Sequence, residues 1–355
     1  MYRIKHDSHD HHEKGEYDPL KWFNRLSLFY GVSIASQGHG RLTRLQVLYT
    51  RFNRLVLVLN TLYYLIFFGN INFRRIKLFN MDLMYYCFGR IIHVLILQFY
   101  GNKIWNLIKI MTRNCSLRQQ KVIERITVYV WVFNIIDRIT CLFAVIFLYD
   151  FKLTISIIIN LIVTSVSVNF VFHSFSLYLL VFMSFYFNTN RVFLEMKKCT
   201  NPLFLVHKTS QIKKYMNEVN KIAAIPFLMT LPYLFIALPS SFSRSKDFSY
   251  IFAVILFVIT LSYSALIIIT VITVIVFKNK LESQRQDLLD SLMASYGAKF
   301  LLTNEWKICV HRLLDDKLFD FSVFSLFSID FTFLMSFSSA VITFSILFFQ
   351  IENNT

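Results

Sequence analysis

The sequence predicts an all-α polytopic membrane protein with seven transmembrane helices, a cytoplasmic N-terminus and an extracellular C-terminus. Two observations predict this fold class: long stretches without charged residues, and an uneven distribution of lysine and arginine among the segments between them. The chain has 355 residues, 55% of them hydrophobic, a fraction that soluble domains rarely reach.

Seven stretches are long and apolar enough to cross a bilayer. Crossing the hydrocarbon layer as a helix takes about 20 mostly apolar residues, and only helices and closed barrels satisfy the backbone there. The stretches lack the alternation of strands, so they are predicted to be helices. Charge interrupts two of them, at Arg90 and at Asp137 with Arg138. Their ranges are 55–73, 83–102, 126–149, 153–190, 222–243, 248–277 and 331–351.

Basic residues gather on one side of the predicted membrane. The N-terminal segment and the second, fourth and sixth loops carry 29 lysines and arginines, whereas the other loops carry 6. Because basic loops stay in the cytoplasm, the N-terminus is predicted there, and seven spans then place the C-terminus outside. The net charge of +16 is explained by a cytoplasmic face towards anionic lipid. Nucleic-acid binding is not expected, since the basic residues form no single patch.

The predicted spans divide the chain into five regions. The stretches 153–190 and 248–277 exceed the length that a bilayer needs, so we expect helices that project beyond it. The regions are a cytoplasmic N-terminal segment (1–44), helices one to six with a ligand pocket (45–277), a cytoplasmic helical anchor region (278–330), the last transmembrane helix (331–351) and an extracellular tail (352–355).

The end of the anchor region, EWKICVHRLLDDKLFDFSVF, has an amphipathic pattern. Its apolar residues recur at steps of mostly three and four, which predicts one helix leading directly into the last span. These residues are Val310, Leu313, Leu314, Leu318, Phe321 and Phe324.

The last apolar stretch carries a stripe of small and polar residues. Their spacing places them on one face of a helix, while the other positions are mainly Phe, Leu and Ile. The pattern fits close packing between helices, and it also fits a water-facing pore lining with Gln350 near the exterior mouth. The stripe consists of Thr332, Ser336, Ser339, Thr343 and Gln350.

This stretch resembles the C-terminal signature of the insect gustatory receptors, within the insect chemoreceptor superfamily that includes the odorant receptors. The signature is Thr-Tyr, five mostly apolar residues and Gln-Phe, and this chain has Thr343-Phe344, SILFF and Gln350-Ile351. Phe344 and Ile351 depart from it, and Phe344 lacks the hydroxyl of the tyrosine. The resemblance also covers the layout of about seven spans, the cytoplasmic N-terminus and the very short C-terminal tail.

The resemblance implies a multi-pass plasma-membrane receptor that works in taste. The chain would be one subunit of a cation channel, a homotetramer or a heterotetramer with related receptor subunits, opened by a small-molecule tastant. The breadth of the family points to a bitter or other aversive compound. Gln350 and Ile351 would form the gate of the pore, preceded by Thr343 and Phe344. The last span has no ring of acids, so the channel is expected to be non-selective among cations.

No enzymatic activity, cofactor or metal is expected. The sequence has no phosphate-binding glycine loop, no HExxH and no clear nucleophile–base pair. The N-terminal HDSHDHHEK is interpreted as a solvated tail rather than a metal site, because structural metal sites need an ordered scaffold.

The resemblance implies a ligand pocket among the first six helices, towards the exterior. Charged and hydroxyl-bearing residues inside the spans are candidates for its lining. Arg90 and Asp137 have a second interpretation as a structural ion pair between helices, and the tyrosines as ordinary packing residues. The candidates are Arg90, His93, Asp137, Asn160, Tyr233 and Tyr263.

Three other functions stay open at this stage. A G-protein-coupled seven-helix receptor would need an exterior N-terminus, which the basic residues oppose. A transporter would need broken helices and internal repeats. Pro226, Pro232 and Pro239 are able to break the fifth span, but no repeat is visible. An obligate co-receptor subunit without its own ligand would have the same sequence features as a self-sufficient receptor.

Overall fold

The computed structural model of the chain is mainly helical. It describes residues 103–113, 115–148, 179–199, 201–245, 250–296, 303–315, 318–323 and 327–354, with single positions elsewhere. Five helices and one hairpin have assigned bounds: α1 (Leu117–Leu148), α2 (Pro202–Ser245), α3 (Tyr250–Tyr296), α4 (Asn304–Leu313), β1 (Ser322–Val323), β2 (Phe327–Ser328) and α5 (Phe331–Asn354). Residues 103–113 and 179–197 are also helical. These parts are thus mostly helical, as predicted, with one short hairpin that the all-α prediction did not include.

A capping box fixes the start of α1. The backbone N–H of Ser116 donates to Oε1 of Gln119 at 2.9 Å, and the N–H of Gln119 donates to Oγ of Ser116 at 3.4 Å. These bonds satisfy donors that a helix N-terminus leaves open. Nε2 of Gln120 donates to the carbonyl oxygens of Thr112 and Cys115, at 3.0 and 3.2 Å. Side-chain hydrogen bonds of Ser116, Gln119 and Gln120 therefore stabilise the turn between the 103–113 helix and α1.

Helix α3 is much longer than a bilayer is thick. Its 47 residues span about 70 Å at 1.5 Å per residue. It continues without interruption through position 278, where the sequence predicts the change from span to anchor region. Within the part of the chain that the structure describes, none of the helices meets the combined length and hydropathy requirements for a membrane span.

The segment before α5 differs from the sequence prediction. The predicted amphipathic helix ends early, because α4 stops at Leu313 and an antiparallel two-residue hairpin follows. Phe319, Phe321 and Val323 are buried at two-residue steps, which is the spacing of an extended chain. The backbone N–H of Ile329 donates to the carbonyl of Phe321 at 2.6 Å. Burial of these side chains outweighs the helical pattern, so α5 is preceded by a hairpin.

Aromatic side chains form the centre of the core. The 179–197 helix places Phe182 and Phe185 edge-on against Phe321, with ring centroids 4.8 and 5.9 Å apart. Phe193 meets Phe319 in the same way at 5.8 Å. Helix α2 packs along α3, α4, α5 and β1. The core therefore joins the 179–197 helix to the segment that leads into α5.

The exposed side of α1 changes from charged to apolar along the length of the helix. Arg118, Lys121 and Arg125 are exposed, and one turn later the exposed residues become aromatic or aliphatic. The steps of three and four keep all of them on one face. This apolar stripe consists of Tyr129, Val132, Ile136 and Ile139.

Helix α3 shows the same change in the opposite direction along the chain. Its exposed residues are aliphatic at Ile269, Ile272 and Val276, and polar from Asn279 and Lys280 onwards. Exposed apolar surface of this extent marks a region that contacts lipid or another protein.

Candidate functional site

The start of α5 is defined by Asp330. Its Oδ1 accepts a hydrogen bond of 2.7 Å from the backbone N–H of Phe333, and its carbonyl accepts one of 3.1 Å from the N–H of Leu334. This is N-terminal capping by a carboxylate, which also matches the positive end of the helix dipole. From Phe331 to Asn354 the helix contains neither glycine nor proline. The last helix thus begins at a fixed point and is continuous.

One face of α5 packs against the rest of the chain. Leu334 and Val341 are buried, and the ring of Phe337 lies 5.1 Å from that of Phe235 on α2. Ser345, half-buried, donates its hydroxyl to the carbonyl of Val341 at 2.8 Å. This off-stripe serine is therefore satisfied within its own helix.

The predicted polar stripe lies on the opposite face. All of Thr332, Ser336, Ser339, Thr343 and Gln350 are exposed. At 3.6 residues per turn they fall within an arc of about 60°, centred about 180° from Leu334 and Val341. Small polar side chains thus point away from the core of the chain along most of the length of α5.

Apolar side chains border the stripe on both sides. Phe331, Met335, Ile342 and Ile346 lie along one border and are exposed. Ala340, Phe344 and Leu347 lie along the other border and are also exposed. On a helix of a water-soluble protein such residues would face the core. The face of α5 therefore has a polar centre between two apolar flanks.

The predicted gate residues lie in the second half of α5. Thr343 is exposed, and the ring of Phe344 lies 5.9 Å from that of Phe235, at an interplanar angle of 76°. Gln350 is exposed in the penultimate turn of α5, and Ile351 belongs to the same helix. Phe235 thus contacts α5 both before the signature, at Phe337, and within it, at Phe344.

The predicted ligand-binding residues are only partly placed. Asp137 lies in α1, Tyr233 in α2 and Tyr263 in α3. Arg90, His93 and Asn160 fall outside the described residues, as do the N-terminal segment 1–44 and the predicted fourth span as far as position 176. The predicted ligand pocket therefore stays a prediction.

The linker into α5, defined as residues 314–330, is tied to two long helices by polar contacts. Oδ2 of Asp315 lies 2.8 Å from Nζ of Lys213 on α2. The carbonyl oxygen of Asp315 accepts a 2.8 Å hydrogen bond from Nη1 of Arg285 on α3. The opposite-charge pair links positions more than 100 residues apart in the sequence.

A second tie lies five residues further along the linker, at Asp320. Its carbonyl accepts a 2.9 Å hydrogen bond from Nδ2 of Asn220 on α2, and its Oδ1 lies 3.7 Å from Nζ of Lys278 on α3. Neither tie was predicted from the sequence. Asp315 and Asp320 flank the buried Leu318 and Phe319, so both carboxylates lie at the edge of the core.

Ion pairs also join α2 to the 103–113 helix and to the 179–197 helix. Lys103 lies 2.7 Å from Glu218 on α2, and this hydrogen bond lowers the pKa of the Glu218 carboxyl despite partial burial. Burial raises the pKa of Glu195, but hydrogen bonds from Lys208 and Arg191 outweigh it and leave that pKa lowered. Arg312 on α4 donates to the hydroxyl of Ser210. These carboxylates are therefore held ionised at neutral pH.

The buried thiols are poorly suited to chemistry. Burial raises the pKa of Cys115 and of Cys309 to about 11, and a nearby arginine only partly offsets this. A thiol with such a pKa is almost entirely protonated at neutral pH, so it is a weak nucleophile. Among the described residues, no group of three or more His, Cys, Asp and Glu side chains is arranged to hold a metal ion.

No family model matches the chain, and no curated protein matches it. Solved structures that are similar to it include the insect olfactory receptor OR5 from Machilis hrabei, and the same receptor in complex with eugenol. Each has 12% sequence identity and a TM-score of 0.68, and the similarity covers 93% of this chain and 98% of the receptor. The chain has the fold of an insect olfactory receptor. At this identity the similarity shows the fold, and membership of the insect chemoreceptor superfamily and the gustatory subtype stay predictions.

Proposed function

We propose that this chain is a subunit of a chemoreceptor cation channel in the plasma membrane, with α5 lining the ion pathway. The observation that carries the proposal is the exposed polar stripe of α5, which lies opposite the buried face of the same helix. Hydroxyls and one amide on a continuous helix provide hydration for a passing ion without binding it tightly.

The apolar flanks of α5 support assembly around a central axis. A pore lined by one helix per subunit needs a polar strip towards the axis and apolar strips towards the neighbouring helices. Met335 and Ile342 on one flank, and Phe344 and Leu347 on the other, fulfil that need. We infer a tetramer, formed by this chain alone or with related receptor subunits.

The exposed apolar stripes of α1 and α3 support insertion into a membrane. Lipid tails are favourable surroundings for exposed Ile, Val and Leu, and tyrosine is enriched at the membrane–water interface. On α1 the change from Arg125 to Tyr129 marks the cytoplasmic boundary, as the change from Val276 to Lys280 does on α3. We therefore assign the core around Phe319 and Phe321 to the cytoplasmic side, together with the N-terminus.

The activating ligand is proposed to be a small organic molecule bound among the first six helices. The similar olfactory receptor was solved with eugenol, and the C-terminal signature of this chain resembles that of gustatory receptors. We infer a tastant, of the bitter or aversive class that the family's breadth suggests. The proposed binding residues are those predicted from the sequence: Arg90, His93, Asp137, Asn160, Tyr233 and Tyr263.

The proposed gate is the ring of Gln350 and Ile351 side chains contributed by the subunits. Four isoleucine side chains near the axis close a pore by excluding water, and moving them off the axis lets it fill. Phe235 and the linker ties at Asp315 and Asp320 connect α5 to α2 and α3, so helix movements at the ligand site reach the gate. The similarity to a receptor favours this function over a transporter, a G-protein-coupled receptor or an enzyme.

The proposal is tested by expressing the chain alone in cells that lack chemoreceptors. Whole-cell current is recorded during application of a panel of bitter compounds, for the natural chain, Gln350→Ala, Ile351→Ala and Ser345→Ala. We expect evoked cation current in the natural chain, altered basal or evoked current in the two gate variants, and little change in Ser345→Ala, whose hydroxyl bonds within its own helix.

Two results would argue against parts of this proposal. Unchanged conduction in both gate variants would remove Gln350 and Ile351 from the gate. Current that appears only when a related receptor is co-expressed would identify the chain as an obligate co-receptor subunit rather than a self-sufficient receptor.

A further inference from the structure

The turn between the 103–113 helix and α1 presents a concentrated basic surface. From position 103 to position 129 the sequence contains six basic residues and one acidic residue, Glu124. Arg118, Lys121 and Arg125 are exposed and lie along one face of α1, opposite the buried Ile123 and Thr127. We call these three residues the basic stripe. Within the described part of the chain, none of the three forms an ion pair.

The basic stripe continues in register into the exposed apolar stripe of α1. Tyr129 is 70% exposed and follows Arg125 by one turn on the same face. At 1.5 Å per residue, Arg118 lies about 10 Å below Arg125 along the helix axis. Along the same axis Arg125 lies about 6 Å and Arg118 about 16 Å from Tyr129. Arg125 is therefore within one Debye length of the boundary where Tyr129 begins the apolar surface, and Lys121 and Arg118 lie farther from that boundary.

Hydrogen bonds hold the backbone of the turn, so the helix positions that carry the three cations are ordered. The Ser116–Gln119 capping box sets the first turn of α1, and Gln120 binds the last carbonyls before it. The side chains of Cys115 and Thr112 at this turn are also buried. A ligand that contacts this surface meets an ordered helix rather than a flexible basic segment.

We propose that the basic stripe binds the phosphorylated headgroup of an anionic lipid, a phosphoinositide, in the cytoplasmic leaflet. Guanidinium groups pair with phosphate oxygens in a bidentate manner, and a cluster of basic residues next to a span is attracted to multiply charged headgroups. The acyl chains of the same lipid run alongside Tyr129, Val132 and Ile136. This inference rests on the proposed function, because it requires α1 to enter the membrane at Tyr129.

The test uses the full chain, purified and placed in phosphatidylcholine nanodiscs. Binding of a fluorescent phosphatidylinositol bisphosphate is titrated for the natural chain, for the triple variant Arg118→Gln, Lys121→Gln, Arg125→Gln, and for a control triple variant Lys197→Gln, Lys198→Gln, Lys307→Gln. The control residues are also exposed and the charge change is the same.

We expect the basic-stripe variant to bind the lipid at least about tenfold more weakly, because each cation near the surface contributes separately. The control variant is expected to bind as the natural chain does. Equal binding by all three proteins would overturn the proposal, and so would a loss of the same size in the control. Displacement by an equal concentration of inositol trisphosphate would show that a soluble phosphate, not a lipid, occupies the site.

Membrane insertion is measured separately by flotation after alkaline extraction. Insertion of all three proteins with equal lipid binding would overturn the lipid site and leave the proposed channel intact. A chain that does not float with the membranes would contradict both.

Discussion

The ring of Phe235 on α2 lies 5.9 Å from the ring of Phe344 on α5, nearly at right angles to it. Phe344 stands where the resembling signature has tyrosine, and Phe235 follows the candidate ligand residue Tyr233 by two positions. The contact therefore joins the helix proposed to sense the ligand to the helix proposed to form the gate.

Weakening this aromatic contact should change gating. Edge-to-face pairs contribute about 0.5–1.5 kcal/mol beyond their area, so Phe235→Leu or Phe344→Leu should shift the half-maximal ligand concentration or the basal current by about 2- to 10-fold. The measurement is a concentration–response curve, with surface labelling to correct for expression. In the double variant we expect about the effect of Phe235→Leu alone, because that substitution already removes the contact with Phe344 as well as the contact with Phe337. Additive effects would show that the two rings act independently.

Loss of the Asn220 contact should destabilise the linker before α5. Asn220→Ala removes the donor to the carbonyl of Asp320 and should lower stability by about 1 kcal/mol. Asn217→Ala is the matched control, because Asn217 is exposed on the same helix. Thermal unfolding of the detergent-solubilised chain measures the difference. A lower melting temperature for Asn217→Ala than for Asn220→Ala would contradict the role assigned to this contact.

Replacing the cap of α5 should loosen its first turn. Asp330→Ala removes the acceptor for the N–H of Phe333 and should cost about 1 kcal/mol, whereas Asp330→Asn keeps a capping oxygen and should cost much less. Hydrogen exchange at residues 331–334 distinguishes the two variants. If the asparagine variant exchanged as fast as the alanine variant, capping would not be the reason for the effect.

The buried thiols should react slowly and with a defined pH dependence. Because the pKa of Cys309 is raised to about 11, fewer than about one thiol in a thousand is ionised at neutral pH. The thiolate fraction rises about tenfold per pH unit until the pH approaches that pKa, and falls as the pH is lowered. Maleimide labelling followed by mass spectrometry should find Cys199, which is half-buried, modified before Cys115 and Cys309. Faster labelling of Cys309 than of Cys199 would contradict its burial.

The sequence predicted which residues share one face of α5, but not the direction in which that face points. Helical periodicity alone placed Thr332, Ser336, Ser339, Thr343 and Gln350 on one face, because a straight helix repeats every 3.6 residues. Whether that face points inward or outward depends on packing against α2, which no local pattern contains. Because Leu334 and Val341 on the opposite face are buried, the polar face points outward.

The linker shows where periodicity misleads. Leu318 and Phe321 fit a helical step of three, but Phe319, Phe321 and Val323 also fit a step of two. The aromatic pocket formed by Phe182, Phe185 and Phe193, more than 120 residues earlier in the chain, selects the extended form. The ties from Lys213, Arg285, Asn220 and Lys278 were unpredictable for the same reason, since they depend on helices that are distant in sequence.

The central claim is that the polar stripe of α5 lines a water-filled ion pathway. Its most direct test is the accessibility of single cysteines, introduced by Ser336→Cys, Ser339→Cys, Thr343→Cys and Val341→Cys into a Cys199→Ser background. Evoked current is recorded before and after a membrane-impermeant, positively charged thiol reagent. We predict rapid, ligand-dependent block at the three stripe positions and none at Val341, which is buried against the subunit's own core. Equal block at all four positions, or block at Val341→Cys alone, would contradict the assignment of α5 as the pore helix.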